Sequence, residues 1–168
     1  MPSGVTVRAA ASEDVSAIKR VARAAYEAAY MEIIGQREID AAMTAWYNDE
    51  RLHDAIVNQE TAYFVAEADE VVGYASGGGT DELGEGELYN IYVHPEWWGE
   101  GVGTQLLSAI ENELTARGVS RLQLQVFTEN DGARRFYEAR GFTRVGEKET
   151  DLFTGTTTGI VVYAKALS

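Results

Sequence analysis

The chain has 168 residues, is 45% apolar and contains no cysteine. Those numbers suit one globular domain over residues 1–168 and exclude a disulfide framework, a thiolate metal site and a cysteine nucleophile. Twenty-seven acidic residues against fourteen basic ones give a formal charge of −13. General nucleic-acid binding is therefore disfavoured, because neutralising phosphates takes a basic face. No run approaches the roughly 18 apolar residues that cross a bilayer, so no membrane partner is expected. Met1-Pro2-Ser3-Gly4 lacks the basic and apolar regions of a signal peptide, which with the absence of cysteine suits the cytoplasm. The acidity either recruits cationic substrates or forms a solvated, self-repelling surface. Eleven arginines to three lysines, with abundant Ala, Val, Thr and Gly, fit adaptation to a salty cytoplasm and favour the surface reading.

Val5–Arg8 reads as a first strand. Ser12 is a candidate N-cap for a helix with apolar positions Val15, Ile18, Ala22, Ala25, Tyr26 and Ala29. Further helices are expected over Gln36–Tyr47 and Glu50–Val57. Thr61–Ala68 and Val71–Ser76 form a hairpin turning at Asp69-Glu70. Gly77 to Gly86 reads as a mobile polar turn, without the ligand spacing of a calcium loop. Leu88–Val93 is a strand, Val102–Arg117 a helix closed by Gly118, and Arg121–Thr128 a strand. Asn130–Arg140 is a helix closed by Gly141, and Phe142–Val145 and Gly159–Ala164 are the last strands. The outcome is one mixed α/β domain without repeats.

The segment from Leu88 to Thr104 carries most of the functional information. A period-2 strand stops at Pro95, and Gly99, Gly101 and Gly103 then lead into a helix. Such a turn aims bare backbone N–H groups and the positive end of the helix dipole at one place, which suits a phosphate. The spacing departs from both phosphate loops of common type. Gly103 is followed by Thr104-Gln105 rather than Lys-Ser/Thr, and no third glycine follows at dinucleotide spacing.

A second motif lies about thirty residues on: Asn130, Ala133, Phe136, Tyr137, Gly141 and Phe142. With the glycine loop, in that order and over nearly the whole chain, it resembles the GNAT superfamily, the Gcn5-related N-acetyltransferases. The resemblance implies a single α+β domain with a central, mostly antiparallel sheet whose fourth and fifth strands splay apart, flanked by helices. It implies acetyl-CoA as co-substrate, no metal, a small-molecule or peptide amine as acceptor, and a homodimer as an allowed assembly. In such enzymes the backbone of Ile91, Tyr92 and Val93 would pair with the pantetheine arm. Gly99, Glu100, Gly101, Val102, Gly103 and Thr104 would cradle the pyrophosphate, and Asn130 would bond the cofactor arm. Tyr137 would protonate the departing thiolate. The family's glutamine or arginine at the head of the loop is Trp98 here, so a side-chain donor to the pyrophosphate is missing.

The general base is read from position. Glu87 lies four residues before Ile91, where the histone-acetylating branch places its glutamate, and simple alternation would put Glu87, Tyr89, Ile91 and Val93 on one face. Enzymes that acetylate a ribosomal-protein N-terminus use a glutamate on the next strand. Gln123-Leu124-Gln125-Val126 offers none, which weighs against that acceptor. Tyr26 and Tyr30 end the first helix, where a cationic, polyamine-like amine would find ring faces. A core role for both tyrosines is the competing reading. His53 and His94 lack metal-ligand spacing. Two alternatives stay open: a protein N-terminal or lysine acetyltransferase, and a non-catalytic acyl-CoA sensor of the same fold.

Overall fold

The computed structural model describes residues 4–167. Seven strands form one sheet in the order β1-β2-β3-β4-β5-β7-β6. They are β1 (Thr6–Ala9), β2 (Thr61–Glu67), β3 (Val71–Gly79), β4 (Glu85–Val93), β5 (Arg121–Phe127), β6 (Thr143–Asp151) and β7 (Thr157–Ala166). Every neighbouring pair is antiparallel except β4 and β5, which run parallel. That pair is registered only at Glu85–Arg121, Gly86–Leu122 and Glu87–Gln123. Beyond Glu87 the two strands part, as the family resemblance implied, and the edges facing each other lose their ladder.

Four helices cover the sheet: α1 (Val15–Trp46), α2 (Asp49–Val57), α3 (Val102–Ala116) and α4 (Asp131–Ala139). On one face the Leu106, Ile110 and Leu114 stripe of α3 packs with Ala66, Ala75 and Leu122. Burying such a side chain contributes about 1.5–3 kcal/mol. On the other face Ile18, Val21 and Ala22 of α1 meet Val65, Tyr74 and Tyr63. The helical spacing of α1 and α3 and the alternation of the strands are what make two half-buried layers close on one sheet.

Several expectations need correction. Ser12 does not cap α1. It lies in a 3-10 turn with its hydroxyl 3.1 Å from His53 Nδ1, while Asp14 accepts from Ala11 N–H at 2.8 Å. Arg8 grips Asp14 through two 2.9 Å bonds, holding that carboxyl below its ordinary range. The two N-terminal helices are one run broken at Gly35, whose φ of +81° and ψ of 168° only glycine adopts readily. The Gly77–Gly86 turn shrinks to its second half, because Gly77 to Gly79 continue β3. A Cβ on Gly77 would lie 2.8 Å from the Glu87 carbonyl, so glycine here marks close strand approach rather than a mobile turn. The final hairpin is longer than its apolar residues indicated, since β6 is mostly exposed and leaves little period-2 signal.

Past the Gly35 break, Glu38 is 2% exposed and ties α1 to the tip of the β6–β7 hairpin. Its carboxylate accepts from Phe153 N–H at 2.6 Å, Thr154 N–H at 3.0 Å and the Thr154 hydroxyl at 2.9 Å. Glu38→Ala leaves three donors without a buried partner, and is expected to lower unfolding free energy by about 2–4 kcal/mol. Urea denaturation checks this, and a loss under about 0.5 kcal/mol would contradict the clamp.

Candidate functional site

Where β4 and β5 part, a cavity of about 540 Å³ opens between them. Its walls are Leu88–Val93 of β4, Leu124–Val126 of β5, the glycine loop, one side of α4, and Ala25, Ala28, Ala29 and Tyr30 of α1. Among the described residues no carboxylate lines it, and Arg140 is its one charged lining side chain.

The glycine loop behaves as its spacing indicated. Gly99 and Gly101 take φ values of +79° and +82°, and Gly101 is the N-cap of α3. Gly103 lies under the Phe136 ring, where a Cβ would come within 3.2 Å. The free N–H groups of the first turn of α3 therefore face the cavity with no side chain in the way.

His94 N–H donates to the Val72 carbonyl at 2.8 Å, toward β3. Strand alternation then turns the Tyr92 N–H and C=O toward β3 as well, and those of Ile91 and Val93 toward the gap. Tyr92 thus contributes a side chain rather than backbone, its hydroxyl 2.8 Å from that of Tyr30. The Val93 carbonyl already has a partner. Trp98 folds back across the loop and donates its indole Nε1–H to it at 2.8 Å. The exposed Ile91 edge and the Val93 N–H remain open for a ligand chain to pair with, as an added strand would.

Tyr137 is 8% exposed, held between the rings of Phe136 and Phe142 at centroid distances of 5.1 and 5.5 Å. Its hydroxyl has no protein hydrogen-bond partner among the described residues, and Tyr137 lines the cavity. Burial foremost, then the Tyr30 hydroxyl, raises its pKa well above the ordinary 10, against a smaller lowering by Arg140. It is a proton-bearing group at every physiological pH. Asn130 Oδ1 caps α4 by accepting from Ala133 N–H at 3.2 Å, and the Asn130 side chain also reaches the Tyr30 hydroxyl at the cavity wall.

Of the residues singled out in the sequence, the cavity gathers Tyr30, Ile91, Tyr92, Val93, Gly99, Gly101, Val102, Gly103, Thr104, Asn130 and Tyr137. It does not gather Glu87, Glu100 or Tyr26. Glu100 points to solvent, and Tyr26 is buried behind Tyr92 at a ring distance of 4.8 Å. Glu87 is displaced by a β-bulge. Ser76 pairs with Asn90 and Gly77 with Leu88, so Tyr89 is an extra residue in β4. The bulge resets the alternation. Leu88, Ile91 and Val93 share the α3 face, and Glu87, next to Leu88, falls on the opposite one. Sequence reasoning missed Arg140, which lies inside the recognised second motif without being a motif position. Its guanidinium donates to Thr104 Oγ1 from Nε at 2.9 Å and from Nη2 at 2.7 Å.

Comparison with known proteins agrees with this geometry. The family model described as "Acetyltransferase (GNAT) family" matches residues 20–142. PaiA N-acetyltransferase from Thermoplasma acidophilum, solved in complex with coenzyme A, superposes with a TM-score of 0.83 at 24% identity, covering 96% of this chain and 98% of that one. The ribosomal-protein-S18-alanine N-acetyltransferase from Escherichia coli gives 0.74 at 20% identity, covering 98% and 94%. YncA from Salmonella typhimurium, solved with its cofactor acetyl-CoA, gives 0.69 at 24%, covering 98% and 95%. At these identities the structures speak for the fold, and the family match spans well over half of the chain. The chain belongs to the GNAT acetyltransferase family.

Proposed function

We propose that the protein is an acetyl-CoA-dependent N-acetyltransferase acting on a primary amine by direct transfer. One observation carries the reading most: a buried tyrosine hydroxyl without a partner stands in the same cavity as an unladdered strand edge and a bare helix N-terminus. The residues present fit the cofactor on that ground. Acetyl-CoA supplies a thioester whose acyl carbon an amine can attack. Ile91 and Val93 N–H groups would hold the pantetheine arm and polarise the carbonyl. The backbone of Gly99 to Thr104 would take the pyrophosphate, and Asn130 Nδ2 would bond the arm. Tyr137 Oη would pass its proton to the sulfur as the C–S bond breaks, and solvent would reprotonate the phenolate.

Glu87 has no place in this proposal as a base, because its carboxylate is outside the cavity lining. An amine attacks only when neutral, so its proton goes to water. Glu87→Gln is expected to keep kcat/KM within about threefold of wild type, against the 10²–10⁴-fold loss typical of a positioned base. The pH profile follows from the same point. As pH rises, kcat/KM should climb through the acceptor's own pKa, about 7.7–8.0 for an α-amine and about 10.4 for a lysine-like one. Tyr137 works protonated and its pKa is raised, so no descending limb is expected below about pH 10. A rising limb near pH 4–5 would instead reveal a carboxylate base.

The acceptor end is walled by small alanines and the Tyr30 ring, with no carboxylate. That composition supports a small amine arriving neutral. A polyamine-like acceptor keeps only the ring faces of Tyr30 and Tyr89 in its favour. Thiol release from acetyl-CoA, measured across amino acids, arylamines, polyamines and peptides, tests the reading. Release dependent on an added amine is expected, and none with any of the four classes contradicts it.

A further inference from the structure

Acidic residues outnumber basic ones 27 to 14, and Arg8, Arg20, Arg23, Arg117, Arg121 and Arg144 each bond a carboxylate. Among the described residues Arg37, Arg51, Arg134, Arg135 and Arg140 bond no carboxylate, and of these five only Arg140 lines the cavity. Its Nε and Nη2 donate to Thr104 Oγ1, and its Nη1 donates to the Phe136 carbonyl at 2.8 Å. Its Cζ lies 3.7 Å from the centroid of the Phe136 ring. Four contacts therefore fix the guanidinium in one pose at the cavity wall, half-buried, beside the third residue of α3.

This placement is electrostatically unfavourable in the free protein. A cation at a helix N-terminus faces the positive end of the dipole, which repels it. The repulsion disappears when an anion arrives between the two. Thr104 Oγ1 uses one hydrogen from Nε and one from Nη2, and the Phe136 carbonyl uses one from Nη1, so two of the five guanidinium hydrogens are left for a ligand. Trp98, at the head of the loop, has its side-chain donor engaged on Val93 and its backbone N–H on the Pro95 carbonyl.

We infer that Arg140, held by Thr104 and the Phe136 ring, is the side chain that binds the cofactor's pyrophosphate, entering from α4 in place of a donor at the head of the glycine loop. The inference rests on the reading of the cavity as a coenzyme A site. It makes α4 a cofactor-binding element as well as the carrier of Tyr137. It also accounts for Thr104, whose hydroxyl is oriented as an acceptor for Arg140 rather than as a ligand of its own.

Calorimetric titration of CoA and of 3′-dephospho-CoA into wild type, Arg140→Gln and Thr104→Val tests it. Arg140→Gln should weaken both ligands equally, by about tenfold or more for a lost charge-assisted pair. Thr104→Val keeps the charge but frees the guanidinium, and should weaken both by a smaller factor, about threefold. Unchanged affinity in the glutamine variant overturns the inference, and so does a loss confined to CoA, which would put Arg140 on the 3′-phosphate. If Arg140→Gln fails to fold, the valine variant decides: an unchanged dissociation constant contradicts the tether. A wild type that binds neither ligand overturns the coenzyme A reading itself, a result separate from either variant's.

Discussion

Tyr137→Phe is expected to lower kcat by about 10²–10³-fold while leaving the dissociation constant for CoA within about twofold. The size follows from what the hydroxyl does and does not touch. It bonds no protein group among the described residues, so removing it costs the fold nothing through a lost partner. The ring stays clamped between Phe136 and Phe142. What disappears is a buried hydroxyl without a protein partner among the described residues, the proton donor proposed for the departing sulfur. Stopped-flow thiol release with parallel calorimetry separates rate from binding. A variant with unchanged kcat would remove Tyr137 from the chemistry and leave it as a core residue. A wild type that binds CoA without turnover on any amine would favour the sensor alternative.

Gly103→Val should be the most damaging change to cofactor binding. A Cβ alone would stand 3.2 Å from the Phe136 ring, a contact that already requires the ring to give, and valine adds two methyl groups beyond it. Overpacking of this kind costs about 1–3 kcal/mol. The strain falls where α3 meets α4, so relief must come from moving the first turn of α3 or the ring on which Arg140 rests. Either movement spoils the cradle. Affinity for CoA is expected to fall by tenfold or more, since about 1.4 kcal/mol of lost binding suffices. Calorimetry at a temperature where far-ultraviolet circular dichroism is native checks this. Retained affinity would mean the cradle is looser than the close approach indicates.

Many of the residues that line the cavity are legible in the sequence. Gly99, Gly101 and Gly103 follow a strand and open a helix, and that local chemistry needs no tertiary information. Asn130 and Tyr137 were readable for the same reason, being fixed points of a short motif on one helix. What failed depended on contacts between distant segments. The bulge at Tyr89 is a feature of the β3–β4 pairing, and no pattern within Leu88–Val93 announces it. Glu87 was misplaced by that single residue. Gly77 looked like a turn because the Glu87 carbonyl that crowds it is ten residues away. Arg140 was passed over because its partner, Thr104, lies 36 positions earlier.

The Trp98 departure reads differently in three dimensions. The indole is half exposed at the mouth of the cavity and spends its N–H on the Val93 carbonyl. The loop head therefore holds the strand edge, and the charged side chain on the cavity wall is Arg140 of α4.

The gap between β4 and β5 is expected to receive the cofactor. Amide chemical-shift mapping by NMR during titration with CoA tests it most directly. Shifts are expected to concentrate at the N–H groups of Ile91, Val93, Gly101, Val102, Gly103 and Thr104. A response centred instead on the cleft formed by Ala9, Ala10, Ile56 and Phe64, or no response at millimolar CoA, would contradict it.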